Sequence, residues 1–157
     1  APQGAGKTEY VMRRVAERAP ARLAWIEGCF TLYPPALSQR GLAPERVLCI
    51  ESGERGGAGR EALWAALEVL RSRLFGFVVL SVESASSLMI SARELRRFQI
   101  EAERSNATFV LLGEERLPVA AADRWPIALE VFVRGSEIRV TRARGWKNQA
   151  VGGMMVK

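Results

Sequence analysis

Ala1-Pro2-Gln3-Gly4-Ala5-Gly6-Lys7-Thr8 opens the sequence. Its spacing, Ala or Gly, then four residues, then Gly-Lys followed by Ser or Thr, is that of a loop that wraps phosphate. Glycines let backbone amides curl around phosphate oxygens without side chains intruding. The lysine neutralises terminal phosphates, and a hydroxyl at the dipole-positive start of a helix ligates magnesium. Gly4, Ala5, Gly6, Lys7 and Thr8 are therefore the candidate nucleotide-binding residues, with Thr8 as the magnesium-associated one. ATP or ADP with magnesium is the ligand this pattern predicts. A loop of this kind follows a buried strand, and the sequence begins inside the loop, so a further strand upstream of Ala1 is expected in a longer protein.

Working outward from the loop, Lys7 to Arg18 combines good helix formers with apolar positions at Tyr10, Val11, Val15 and Ala16, and Ala19-Pro20 stops it. Arg22 to Glu27 and Val47 to Ile50 are short apolar runs suited to parallel strands covered on both faces. Pro34-Pro35 and Gly41-Leu42-Ala43-Pro44 bracket a short helix. A glycine-rich loop from Gly53 leads into a helix from Arg60 to about Arg73, with Leu63, Leu67, Leu70 and Leu74 in one apolar stripe. Phe77-Val78-Val79-Leu80 is the strongest strand signal, a helix through Arg93 to Arg104 follows, and Ala107 to Leu112 is another buried strand. Ile127, Leu129, Val131 and Val133, then Ile138 and Val140, alternate strictly across Arg134-Gly135-Ser136-Glu137, which predicts that the sheet ends in an antiparallel hairpin with a type II′ turn. The fold class is α/β: a mainly parallel sheet flanked by helices, in one domain spanning 1–157.

Composition excludes several function classes. The 157 residues contain no histidine, which removes the usual metal ligand and the usual neutral-pH base, so a catalytic zinc and a Ser-His-Asp mechanism are not expected. The apolar runs fall short of the ~20 residues a bilayer-spanning helix needs. Cys29 and Cys49 adjoin apolar runs, where free cysteine behaves as a small buried hydrophobe, and together these features point to a soluble protein of the reducing cytoplasm. The net charge is +6, and Arg134, Arg139, Arg142, Arg144, Lys147 and Lys157 outweigh Glu130 and Glu137 at the C-terminal end. That end predicts at most weak, salt-sensitive and sequence-independent contact with nucleic acid. Arg93, Arg96, Arg97 and Arg104 on one helix read either as a solvated face or as a partner surface.

From Ala1 to Gly145 the order of elements resembles the RecA recombinase core, a RecA-like P-loop fold, and more closely the shortened ImuA or SulA-like relatives of bacterial damage-induced mutagenesis. The segments that carry the resemblance are Arg22-Leu-Ala-Trp-Ile-Glu27, Gly41-Leu-Ala-Pro-Glu-Arg-Val-Leu-Cys49, Glu61-Ala-Leu-Trp-Ala-Ala-Leu-Glu68, Phe77-Val-Val-Leu-Ser-Val-Glu83 and Ser105-Asn-Ala-Thr-Phe-Val-Leu-Leu112. The phosphate loop is the specific motif among them. The resemblance implies a role in the SOS response, DNA repair and translesion synthesis after DNA damage, with RecA and a translesion polymerase assembly as partners.

Departures from the family pattern shape the expected activity. The catalytic glutamate of RecA-like ATPases, just past the strand at 22–27, corresponds here to Cys29; the magnesium-associated aspartate corresponds to Ser81; and the γ-phosphate-sensing glutamine corresponds to Glu114. Glu27 and Glu83 are the weak candidates for a replacement base, although Glu27, Glu83 and Glu114 each read more readily as a solvated loop charge. Ser81 to Ser91 and Glu114 to Trp125 stand where the family has its DNA loops, yet they are short and lack a basic groove with stacking aromatics. The expectation is an ATP-binding regulatory or scaffolding protein with weak or no hydrolysis. The alternative is a DNA-dependent ATPase of recombination or repair.

Overall fold

The computed structural model describes residues 6–18, 21–52, 59–82, 87–113, 117–135 and 137–144. The helices and strands are α1 (Lys7–Ala16), β1 (Leu23–Glu27), α2 (Pro34–Gln39), β2 (Val47–Glu51), α3 (Arg60–Ser72), β3 (Phe77–Val82), α4 (Ala92–Ser105), β4 (Thr108–Gly113), β5 (Leu129–Arg134) and β6 (Glu137–Ala143). β1 to β4 form one parallel sheet in the order β2-β1-β3-β4. Leu23 stands beside both Val47 and Phe77, and Phe77 stands beside Thr108.

Parallel neighbours need crossovers, and here helices supply them. Alternation along the strands then divides the core into two layers. Leu23, Trp25, Phe77 and Val79 face Val11, Met12 and Val15 of α1 together with Leu37 and Leu42. Ile26, Val78, Leu80 and Val82 face Ala62, Leu63, Ala66, Leu67 and Leu70 of α3 and Leu95 and Phe98 of α4. All of β1 is buried, which is why it reads as a continuous apolar run; each large side chain so buried contributes about 1.5–3 kcal/mol. Phe98 stacks flat on Phe109 of β4, with ring centroids 4.5 Å apart.

Two details depart from the sequence reading. The leucine stripe of α3 stops at Leu70, because Arg73 turns the chain with φ 58° and leaves Leu74 exposed. The antiparallel hairpin forms, with Gly135 at φ 59° as a tight primed turn requires, but β5 and β6 make a two-stranded sheet of their own rather than the end of the parallel one. Among the described residues, no strand pairing joins β4 to β5.

The start of α4 is fixed by its own side chains. The Ser91 hydroxyl accepts from the Glu94 amide, and the Glu94 carboxylate accepts from the Ser91 amide, a reciprocal cap. Burial pushes the Glu94 carboxyl up, but the Ser91 amide and hydroxyl and the Arg60 guanidinium outweigh that and hold it below the usual carboxylate range. A depressed folded-state value means that this group stabilises the fold above the ordinary carboxylate range and loses that contribution as pH falls through the folded-state value. Ser91→Ala is expected to cost about 1 kcal/mol, read as a lower urea midpoint at unchanged slope. An unaltered midpoint would show that the cap is not holding α4.

Candidate functional site

The described part of the N-terminal loop, Gly6 to Thr8, lies at the carboxyl edge of the sheet. Gly6 caps α1 in the left-handed conformation, φ 80° and ψ 2°, without a side-chain cap for the first-turn amides. A Cβ at Gly6 would stand 3.0 Å from the Gly135 carbonyl oxygen and 3.6 Å from Val133 Cγ1. The position therefore demands glycine for its backbone and for the close approach of the hairpin. Lys7 Nζ donates a 2.6 Å hydrogen bond to the carbonyl oxygen of Gly113, the last residue of β4. The start of α1 thus lies between the end of β4 and the tip of the hairpin. Thr8 is exposed one residue on, while Gly4 and Ala5 lie outside the described residues.

Glu27 ends β1 on the same face, but it is not a solvated charge. It is 1 % exposed. The Thr31 amide at 2.9 Å, the Thr31 hydroxyl at 2.7 Å and the Leu32 amide at 3.3 Å all donate to its carboxylate. Its backbone carbonyl also accepts from the Ser52 amide at 3.0 Å, tying the end of β1 to the end of β2. This carboxylate is the anchor of the turn at 28–32. Sequence reasoning missed the role; the available signal was a glutamate closing a buried strand with a hydroxyl residue four positions later.

Ser81 is half-buried on β3, on the α1 face by alternation with Phe77 and Val79. Glu83 and Glu114 lie outside the described residues. The segments at 81–91 and 114–125 are linked to each other, with the Ile90 amide donating to the Pro118 carbonyl at 2.7 Å. Leu88, Ile90 and Val119 from these segments are packed into the core.

The cysteines differ from expectation. Cys29 is exposed and Cys49 is half-buried. Burial, reinforced by the negative charge of Glu27, pushes the Cys49 thiol up, so it stays protonated and a poor nucleophile at neutral pH. Cys29 is expected to take up a maleimide at least tenfold faster than Cys49, read by mass spectrometry of native protein. Equal rates would contradict this arrangement. In the basic C-terminal region, Arg139 lies over the Phe132 ring at 5.4 Å and Arg144 donates to the Trp125 carbonyl at 2.9 Å. Lys147 and Lys157 fall outside the described residues. Among the described residues, no cluster of acidic or cysteine side chains is arranged to hold a metal by itself, and no helix is long and apolar enough to cross a membrane.

No protein-family model and no curated protein sequence matches the chain. Among solved structures it is similar to SulA from Pseudomonas aeruginosa, at 21% identity and a TM-score of 0.50, over 67% of this chain and 82% of that one. The two chains share a fold. The likeness speaks to architecture alone.

Proposed function

We propose that this chain binds ATP or ADP with magnesium through Gly4, Ala5, Gly6, Lys7 and Thr8, as a single RecA-like nucleotide-binding domain that hydrolyses the nucleotide weakly or not at all. The observation that carries the reading is the start of α1: a left-handed Gly6 that opens a helix without a side-chain cap, beside a lysine drawn to the carboxyl end of β4. These residues fit a phosphate group, since first-turn amides and the helix dipole favour an anion at that point. Lys7 would neutralise phosphate charge, and the Thr8 hydroxyl would hold magnesium. A bound magnesium nucleotide would supply a cleavable phosphoanhydride and a concentrated negative charge beside the hairpin tip.

Weak hydrolysis is supported by the engagement of Glu27, whose carboxylate is committed to Thr31 and Leu32 and is not presented to water. A switch-like rather than DNA-driven role is supported by the packing of Leu88, Ile90 and Val119, which tethers the described parts of the two candidate loops. The architecture shared with SulA, together with the ImuA or SulA-like resemblance of the sequence, supports placement in the bacterial SOS response, with RecA and a translesion polymerase assembly as partners. The test is a titration with labelled ATP followed by a phosphate-release assay, with and without single-stranded DNA. Binding with little turnover is expected in both. Robust DNA-stimulated turnover would overturn the switch and favour the ATPase of recombination or repair.

A further inference from the structure

α3 and α4 lie side by side on the face of the sheet away from α1, and the seam between them opens into a groove of about 220 Å³. Its floor is Leu63, Leu67 and Phe98, core side chains that keep 7 %, 8 % and 4 % of their surface exposed. Trp64 stands at its rim, 67 % exposed, the largest side chain in the described chain to be left so open. Arg60, Arg71 and Arg97 surround the opening against a single lining carboxylate, Glu94.

The charges are unevenly satisfied. Arg60 pairs with Glu94 at 2.9 Å and Arg71 pairs with Glu68 at 2.8 Å. Among the described residues Arg97 has no ion-pair partner, nor does Arg93 one helical turn before it. Burying such a groove against an uncharged surface would strand the guanidinium groups without water. An occupant bearing carboxylates beside apolar side chains would satisfy both the floor and the rim.

We propose that the α3–α4 groove is a docking site for an acidic amphipathic helix of a protein partner, with leucine-type side chains on Leu63, Leu67 and Phe98 and carboxylates on Arg97 and Arg93. Exposed tryptophan beside arginine is the composition from which interface energy is usually drawn, and a groove between two helices accepts a third through anchors at i, i+3, i+4 and i+7. A single-stranded nucleic acid is the weaker fit. It needs successive stacking platforms along a basic track, whereas this groove offers one aromatic rim over an aliphatic floor. The site lies on the opposite layer from Lys7 and does not depend on the nucleotide reading.

The test uses the whole chain and fluorescein-labelled peptides read by anisotropy. The probe is a helical peptide with leucines at the anchor spacing and glutamates elsewhere; the controls are its scrambled sequence, a version with lysine for glutamate, and a single-stranded oligonucleotide. Expected is saturable binding of the first probe alone, weakened by salt, with affinity lowered about tenfold by Trp64→Ala and by Arg97→Glu. Both side chains are exposed, and an unchanged far-ultraviolet circular dichroism spectrum confirms that each variant is folded. Should Trp64→Ala fail that check, Arg97→Glu carries the test. Equal binding of the scrambled or lysine peptide, loss of oligonucleotide rather than peptide binding in the variants, or no binding of the glutamate peptide would each overturn the proposal.

Discussion

Lys7→Ala is expected to lower the affinity for magnesium ATP by at least about a hundredfold, a loss of roughly 3 kcal/mol. The ammonium stands 2.6 Å from the Gly113 carbonyl, at the edge of the sheet where the loop would hold its terminal phosphates. Removing it takes away a charge-assisted bond to phosphate and leaves developing negative charge beside β4 with no cation supplied by α1. Lys7→Arg separates charge from shape: it keeps the cation, but its broad planar head does not replace a compact ammonium in a narrow loop. The measurement is isothermal titration of wild type and both variants with magnesium ATP and magnesium ADP. If alanine binds as tightly as the wild type, Lys7 is a structural strut for β4 and the phosphate reading is wrong.

Glu27→Ala should be the most damaging single change among the carboxylates. It strips the acceptor from two backbone amides and one hydroxyl at a position 1 % exposed, leaving the Thr31 and Leu32 amides to be satisfied by whatever water can enter. Bonds to a charged acceptor contribute about 1.5–3 kcal/mol each and do not add fully, so a destabilisation of about 3 kcal/mol is expected. Glu27→Gln should fall between, since an amide oxygen still accepts while its nitrogen cannot. Chemical denaturation measures both. A variant as stable as wild type that has lost residual phosphate release would assign Glu27 to catalysis and remove it from the turn.

The legible parts of this molecule are those where chemistry is local. β1 and β3 announce themselves because both faces of each are buried, so the runs stay apolar through Ile26 and through Leu80. Gly6 could be singled out because the loop spacing puts a glycine where a side chain would intrude, and the structure adds that its backbone is left-handed. Glu27 was misjudged because its partners come from a turn whose path back over the strand end is a tertiary outcome. Cys29 was misjudged for the converse reason: the apolar run at 23–26 suggested burial, yet Cys29 and Phe30 are both exposed beyond the end of β1. The arginines of α4 were visible as a patch, but the groove they border exists only once α3 lies alongside, which no periodicity on either helix encodes.

The strand order also dictates how this chain must acquire its shape. β1 sits between β2 and β3, so its second partner is delivered only after α3 has been made, and β3 in turn awaits β4 beyond α4. Every ladder in the parallel sheet therefore closes a long loop, whereas β5 and β6 are adjacent in sequence, ending at Arg134 and starting at Glu137. Loop closure of that kind precedes any reward from burial, and it places such sheets among the slower folders. The hairpin can zip within microseconds while Leu23–Glu27, the strand buried at every position, remains half-paired. A nascent chain halted before Phe77 would present that strand with one edge bare, so the interval in which this protein is most prone to aggregate is set by the time taken to synthesise the stretch of chain between β1 and β3.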